Sequence, residues 1–458
     1  MVGAETVDGY LDLSEPRVLY IRSEMSTRIG IKEIFQKLVH ALGGLLRILA
    51  VWLAFFVAMW ASRGAGGGYV ALGCAIVLAG ALWWRGWRQR SRGASVRRAV
   101  VMLLVLAPLG YLMIPLASSV LPSLPADATA QLWPTGPDRK VAVYRYPPAD
   151  VASANGLALV FVHGGPGAYV RDFDRRFFAE FARDGFDVVL YDQFGAGQSP
   201  LGDVRAYTHQ NNVNDLVAVL ERVNKPVVLV GQSYGATLVT SALMQAEVRD
   251  RVKYVVLTEP GKIPGATFSF SPMMAEKTTR APDGAQPPSA AVLARLAAPR
   301  ALLASLLPAD QRYVSQEELI NHYTPDVQHA LVANSFCKGD TGLLEAFETE
   351  RFNLLANFSI SRDARGSPTP DLVGLSSPVL LLLGECSYIP RGRAMEYFDV
   401  YRIARSHLVP GVGHIPWGNE RGQRLTREAI VRFVAQQPGP LPNEPTASER
   451  NAFVSAGR

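Results

Sequence analysis

The stretch Val227-Val-Leu-Val-Gly-Gln-Ser-Tyr-Gly-Ala236 decides how this chain is read. A β-branched apolar run stops at Gly231, Ser233 sits inside Gly231-Gln-Ser-Tyr-Gly235, and a helix-like segment, Thr237 to Met244, follows. A serine on so tight a strand-to-helix turn is forced into strained backbone geometry with its hydroxyl above the sheet. Small residues on both sides avoid collisions with neighbouring elements. The helix N-terminus behind it favours developing negative charge. Gly-x-Ser-x-Gly also occurs in ordinary loops. Here the strand before it and the helix after it give it the context of a nucleophile.

Working outward, apolar strand candidates recur at Lys140–Tyr146, Leu157–Val162, Asp187–Tyr191, Pro226–Val230, Val252–Thr258, Pro378–Leu383 and Ser406–Val409. Helical candidates lie between them at Asp172–Arg183, Asn212–Val223 and Tyr234–Glu247, with Arg424–Gln436 after the last strand. This alternation predicts an α/β class domain with a mostly parallel sheet covered on both faces. It breaks from 264 to 377, which reads as a helical cap over the C-terminal edge of the sheet, where such folds bind ligands.

The glycine-rich loops supply the chemistry. His163-Gly-Gly-Pro-Gly167 follows a strand, and its glycines allow backbone N–H groups to approach a substrate carbonyl. Gly164 and Gly165, with the N–H of Tyr234, are the expected oxyanion donors. His163 itself reads as a structural tether. The general base is expected at His414, in Gly411-Val-Gly-His414 after the last strand; His407, the competing histidine, falls inside a strand candidate. The order Ser233 then His414 is that of an α/β-hydrolase. The acid is open. The loop Gly384-Glu-Cys-Ser-Tyr-Ile-Pro390 has Ser387 about where aspartate is expected, and a serine cannot carry the charge that orients an imidazolium. Glu259, after the strand ending at Thr258, is the first choice and Glu385 the alternative. The chemistry requires no metal and no organic cofactor.

These residues resemble the α/β-hydrolase superfamily and, more narrowly, its proline iminopeptidase-like, S33-type serine peptidase branch. The resemblance is carried by His163-Gly-Gly-Pro-Gly167, Asp192-Gln-Phe-Gly-Ala-Gly-Gln-Ser199, Asn212-x-x-x-Asp215-Leu216 and the serine turn, and it spans about Val141–Gln436. It implies an α/β-hydrolase sheet with a helical cap and an acyl-enzyme mechanism on a small-molecule or short-peptide substrate. The branch usually has Arg where Phe194 stands and Trp where Tyr234 stands. It binds the substrate amine through cap glutamates, and the resemblance assigns none of Glu317, Glu318, Glu345, Glu348 or Glu350 to that task. Nucleophilic carboxylate chemistry, as in dehalogenases, is disfavoured by Ser233. A non-catalytic sensor that keeps the fold is the rival motivated by Ser387, and an esterase or lipase acting near the bilayer is the rival among enzymes.

Three apolar runs precede the domain, at roughly Leu45–Ala61, Gly68–Trp84 and Ala99–Leu121. Each is about long enough to cross a bilayer core. They account for the hydrophobic content of 48%, and six arginines between 85 and 98 account for the net charge of +6. That localisation argues for a membrane-flanking basic loop and against a nucleic-acid surface. A cleaved signal peptide is not expected, because the first apolar run begins late. The expected organisation is a cytoplasmic segment 1–40, three transmembrane helices in 41–121, a linker 122–138, a first core part 139–263, the cap 264–377, a second core part 378–437 and a disordered tail 438–458. The arginine-rich loop inside places the catalytic domain on the extracytoplasmic side, with the lipid bilayer as partner. In that oxidising setting Cys337 and Cys386 are candidates for a disulfide, with two free thiols as the alternative.

Overall fold

The structure is a computed structural model that describes residues 24–61, 67–87, 92–112, 124, 126–265, 315–323, 335–337, 351–372, 374–389 and 391–443. They fall into two compact units, one of N-terminal helices and one formed mainly by the chain from 112 onward.

The first unit has α1 (Glu24–Ala61), α2 (Gly67–Trp87) and α3 (Arg92–Tyr111). A four-residue spacing turns Val51, Phe55 and Met59 of α1 inward, with Ala71, Ala75, Ala79 and Trp83 of α2 and Val105 and Leu109 of α3. The Trp52 indole N–H donates to the Val105 carbonyl at 3.2 Å. Leu38, Leu42, Leu45, Leu49, Leu53 and Val57 face outward on α1, as do Leu103 and Leu104 on α3. Three membrane spans were expected, and the three helices match that expectation in part. Among the described residues one helix, over Lys32–Met59, is long and apolar enough to cross a membrane, and the apolar stretch of α2 is the shorter Val70–Trp84. Arg92, Arg97 and Arg98, expected in a loop, belong to α3, because arginine is a good helix former and nothing there breaks the helix. The end of the third run, 113–121, lies outside the described residues, as do 1–23.

The second unit is built on an eight-stranded sheet in the order β1-β2-β4-β3-β5-β6-β7-β8. Its strands are β1 (Gln131–Gly136), β2 (Arg139–Tyr146), β3 (Ala158–Val162), β4 (Asp187–Asp192), β5 (Val227–Gln232), β6 (Val252–Thr258), β7 (Val379–Gly384) and β8 (Ile403–Val409). β1 and β2 are antiparallel to their neighbours and the rest are parallel. The parallel strands β3, β4, β5 and β7 are buried along their whole length, so they read as continuous apolar runs. Their two-residue alternation still sorts the core. Val160, Val162, Val227, Leu229 and Leu381 pack with Leu216, Val219 and Leu238 from α5 (His209–Val223) and α6 (Tyr234–Ala242). Leu159, Phe161, Val228, Val230 and Leu380 pack with Phe173, Phe177 and Phe178 of α4 (Asp172–Ala179) and with Ile430 and Phe433 of a C-terminal helix, Glu420–Val434.

β1 is a correction, since its residues were expected in the linker. Pro134 would be excluded from an inner strand, yet an edge strand tolerates proline because one row of its N–H groups faces outward. Of the expected cap, the described parts include two helices, Gln316–Tyr323 and Leu354–Arg365; Glu345, Glu348 and Glu350 lie outside the described residues, as does the tail from 444. The C-terminal ends of β3, β5, β6, β7 and β8 lead into His163, Ser233, Glu259, Glu385 and the Gly411–His414 loop respectively, so sheet topology alone brings all the candidates to one edge.

Candidate active site

Ser233 caps the N-terminus of α6 with φ 55° and ψ −120°, a conformation L-residues rarely adopt. Its glycine neighbours are set by close approach. A Cβ on Gly231 would meet the Gly235 carbonyl at 2.7 Å and the Ala236 Cα at 2.8 Å, and one on Gly235 would run into the carbonyl oxygens of Val162 and His163. The serine therefore turns at the only place where strand, helix and the β3 loop can pack this tightly. Gly164 lies directly against it, because a Cβ there would meet the Ser233 Cβ at 2.8 Å and clash with the Gln232 side chain.

His163 behaves as a tether. Its Nδ1–H donates to the Gly164 carbonyl at 2.7 Å and its Nε2 accepts the Gln193 N–H at 3.0 Å, which fixes one neutral tautomer. Complete burial pushes its pKa down to about 3, and His209 falls to about 4 for the same reason. Asp192 moves the other way, up to about 7, because burial outweighs the N–H groups of Val170 and Gln198 and the Tyr144 hydroxyl that hold it. These shifts fix the sign of an acid response. Between about pH 6.5 and 4 the unfolded chain protonates both histidines before the folded chain does, so their contribution is present above pH 6.5 and lost as pH falls. Asp192 contributes in the opposite sense below about 7. His163→Gln should remove about 1.4 kcal/mol per pH unit from the slope of stability against pH in that window. Denaturation midpoints of the solubilised chain at pH 7, 6, 5 and 4 test this, and an unchanged slope would refute it.

The candidate base and acid follow β8 and β6. His414 is buried, its N–H donates to the Ser335 carbonyl at 2.7 Å, and its carbonyl accepts the side-chain amide of Gln232, the residue before Ser233, at 3.3 Å. Glu259 has φ 46° and is buried, and its Oε2 lies 3.5 Å from His414 Nδ1. The same carboxylate accepts the Gly384 N–H on Oε1 and the Ser387 hydroxyl on Oε2. Glu385 is placed elsewhere: it is exposed and accepts the Gly411 N–H at 2.8 Å. His407 lies in β8, where its Nδ1–H donates to the Pro442 carbonyl at 2.9 Å. The structure therefore brings Glu259, not Glu385, to the imidazole. Tyr388 was not foreseen: its ring lies 4.5 Å from the His414 ring, and burial together with the Glu259 charge pushes its phenol pKa up.

The departures from the peptidase pattern are also accounted for. Phe194 is buried against Tyr207, ring centroids 5.6 Å apart, so it fills the core beneath its loop. The Tyr234 hydroxyl is held by His209 Nδ1 at 2.9 Å and Asn212 Nδ2 at 3.3 Å, and Asn212 also donates to Gln193 at 3.3 Å. The Asn212 motif thus links the serine turn to the His163 loop. The cap residues that dock on the core gave no signal in the sequence. Asn353 caps the helix Leu354–Arg365 and also donates to the Gly195 carbonyl at 2.8 Å, while Asn357 donates to the Pro166 carbonyl at 2.9 Å. Gln316 donates to the Gly202 carbonyl at 2.8 Å and accepts the Tyr207 hydroxyl at 2.7 Å.

Cys337 and Cys386 form a disulfide with Cα atoms 5.2 Å apart. One end follows Ser335, which holds His414, and the other precedes Ser387, which holds Glu259. Among the described residues no group of acidic, histidine and cysteine side chains is arranged to hold a metal ion.

The sequence model of the alpha/beta hydrolase family matches residues 159–428. A proline iminopeptidase of Arabidopsis thaliana is 42% identical over 87 residues, covering 18% of this chain and 22% of that protein. That of Neisseria gonorrhoeae is 36% identical over 109 residues, covering 22% and 32%. The chain thus matches less than a third of the length of either relative. Among solved structures, a thermophilic esterase from Thermogutta terrifontis has a TM-score of 0.47 at 18% identity, covering 68% of this chain and 99% of that one. The proline iminopeptidase of Mycobacterium smegmatis has a TM-score of 0.38 at 18% identity, covering 72% and 100%.

Proposed function

Since this chain belongs to the alpha/beta hydrolase family, we propose that it is a serine hydrolase that cleaves an amide or ester bond through an acyl-enzyme on Ser233. The observation that carries the reading is the approach of the Glu259 carboxylate to within 3.5 Å of His414 Nδ1, in a loop also tied to the residue before Ser233. Ser233 Oγ attacks the substrate carbonyl carbon and gives its proton to His414 Nε2. Glu259 orients the imidazole and stabilises the imidazolium. The N–H groups of Gly164, Gly165 and Tyr234 hold the oxyanion. Collapse of the tetrahedral intermediate expels an amine or alcohol that takes the proton back, and water then releases the acyl group by the same steps in reverse.

The substrate we infer is a short peptide with a free N-terminus, a reading supported by the local identity to proline iminopeptidases. An esterase acting near the bilayer is the second reading, favoured by the outward aliphatic faces of α1 and α3 and by Tyr234 and Phe194 standing where the peptidase branch has Trp and Arg. We further place the chain in a membrane through its N-terminal helices, in three crossings, with the arginines of 85–98 on the cytoplasmic side and the hydrolase domain outside.

A fluorophosphonate probe should label the wild-type chain in isolated membranes. Turnover of aminoacyl-amide substrates should fall at least tenfold when their amine is acetylated. Unchanged turnover would transfer the assignment to an esterase, and no labelling of the folded chain would favour the non-catalytic sensor. A cytoplasmic signal from a reporter fused at the C-terminus would overturn the topology.

A further inference from the structure

We propose that Ser387, standing on the loop from which a triad aspartate is expected, is a positioning residue that holds the carboxylate of Glu259 against His414. The inference rests on the reading of Glu259 as the acid. Glu259 follows β6, yet its oxygens are held by the end of β7 and the loop after it, through the Gly384 N–H on Oε1 and the Ser387 hydroxyl on Oε2. The hydroxyl has one proton to give, and its direction is set: Ser387 Oγ already accepts the Ile389 N–H at 3.1 Å, which turns the O–H toward Oε2. Oε2 is also the oxygen 3.5 Å from His414 Nδ1. A glutamate has one more rotatable bond than an aspartate and loses more freedom when fixed, so a donor at the right place does for it what a shorter side chain does unaided.

The donor is itself well placed relative to the base. The N–H groups of Glu385 and Cys386 donate to the Val409 and Val412 carbonyls at 3.1 and 3.0 Å, and Cys386 is bonded to Cys337, two residues beyond the carbonyl that accepts the His414 N–H. Ser387 and His414 are therefore parts of one braced assembly, and the hydroxyl fixes where the carboxylate sits within it. A hydrogen bond donated to a carboxylate also favours its charged form, which is the form the imidazolium needs.

The test compares Ser387→Ala, Ser387→Thr, Glu259→Gln and the double variant Ser387→Asp/Glu259→Gln in the full-length chain, with p-nitrophenyl acetate as the probe substrate. Ser387→Ala should lower kcat about 10- to 100-fold with KM within about twofold. The acidic limb of kcat/KM should move to lower pH, because a displaced carboxylate stabilises the imidazolium less. Ser387→Thr should stay within a few-fold of wild type. The double variant, which returns a carboxylate to the β7 loop, should exceed Glu259→Gln at least about tenfold. A wild-type kcat and pH profile in Ser387→Ala would overturn the proposal. Should that variant not fold, the double variant decides, and activity no higher than that of Glu259→Gln overturns it. Full activity in Glu259→Gln would instead remove the underlying assignment of the acid, an outcome distinct from a silent Ser387→Ala beside an inactive Glu259→Gln.

Discussion

Ser233→Ala should lower kcat roughly 10⁴- to 10⁶-fold, to a residue of activity owed to substrate binding and the oxyanion donors. The substitution removes Oγ alone. The Cβ stays, so the backbone at φ 55° pays nothing new, and the packing against Gly164 is preserved. Circular dichroism and the unfolding midpoint should therefore match wild type while fluorophosphonate labelling disappears. Retention of more than about a hundredth of wild-type turnover would exclude an acyl-enzyme on this residue.

Glu259→Gln should cost about 10³- to 10⁴-fold in kcat. The amide is isosteric and keeps one oxygen for the Gly384 N–H, which leaves an NH₂ group facing His414 Nδ1 and Ser387. Two donors cannot share Nδ1, so the ring adopts the tautomer with its proton on Nε2. That atom can then no longer accept the proton of Ser233. The loss is one of protonation state rather than of shape, and should appear in kcat with KM nearly unchanged. Glu385→Gln is the control: its exposed bond to the Gly411 N–H is kept by the amide oxygen, and activity should stay within about twofold. A reversal of the two phenotypes would identify Glu385 as the acid.

The contrast between these glutamates shows what a sequence reveals here. The places of Ser233, Gly164 and His414 at one edge of the sheet were legible because each depends on local constraints: a turn too tight for side chains, a loop needing backbone approach, a histidine ending a glycine loop after a strand. The strands were legible for a similar reason, since burial on both faces demands continuous apolar runs. The acid was left open, with Glu259 the first choice and Glu385 the alternative, because which carboxylate meets His414 depends on how two adjacent strand ends pack. β1 was missed because a proline that breaks an inner strand is harmless at an edge. The docking of Asn353 and Gln316 left no trace, because a single amide bonded to a carbonyl more than a hundred residues away has no periodicity. Hydropathy placed the three N-terminal helices but not their bounds: α3 opens in arginines, and among the described residues one helix meets the length and composition needed to span.

The bond between Cys337 and Cys386 closes a loop of 49 residues in sequence separation. In the chain-entropy picture a closure of that length stabilises the folded state by about 4 kcal/mol. Its location matters more than its strength, since it joins the segment that holds His414 to the one that holds Glu259. Thiols stay reduced in a cytosol and pair only where oxidants reach them. On the proposed topology, the sheet needs only the sequence to form, whereas the bond that braces the His414 and Glu259 loops needs the oxidants of the compartment the domain enters. On that reading maturation is coupled to delivery, and a copy held in the cytosol would carry Ser233, His414 and Glu259 without the brace between their loops.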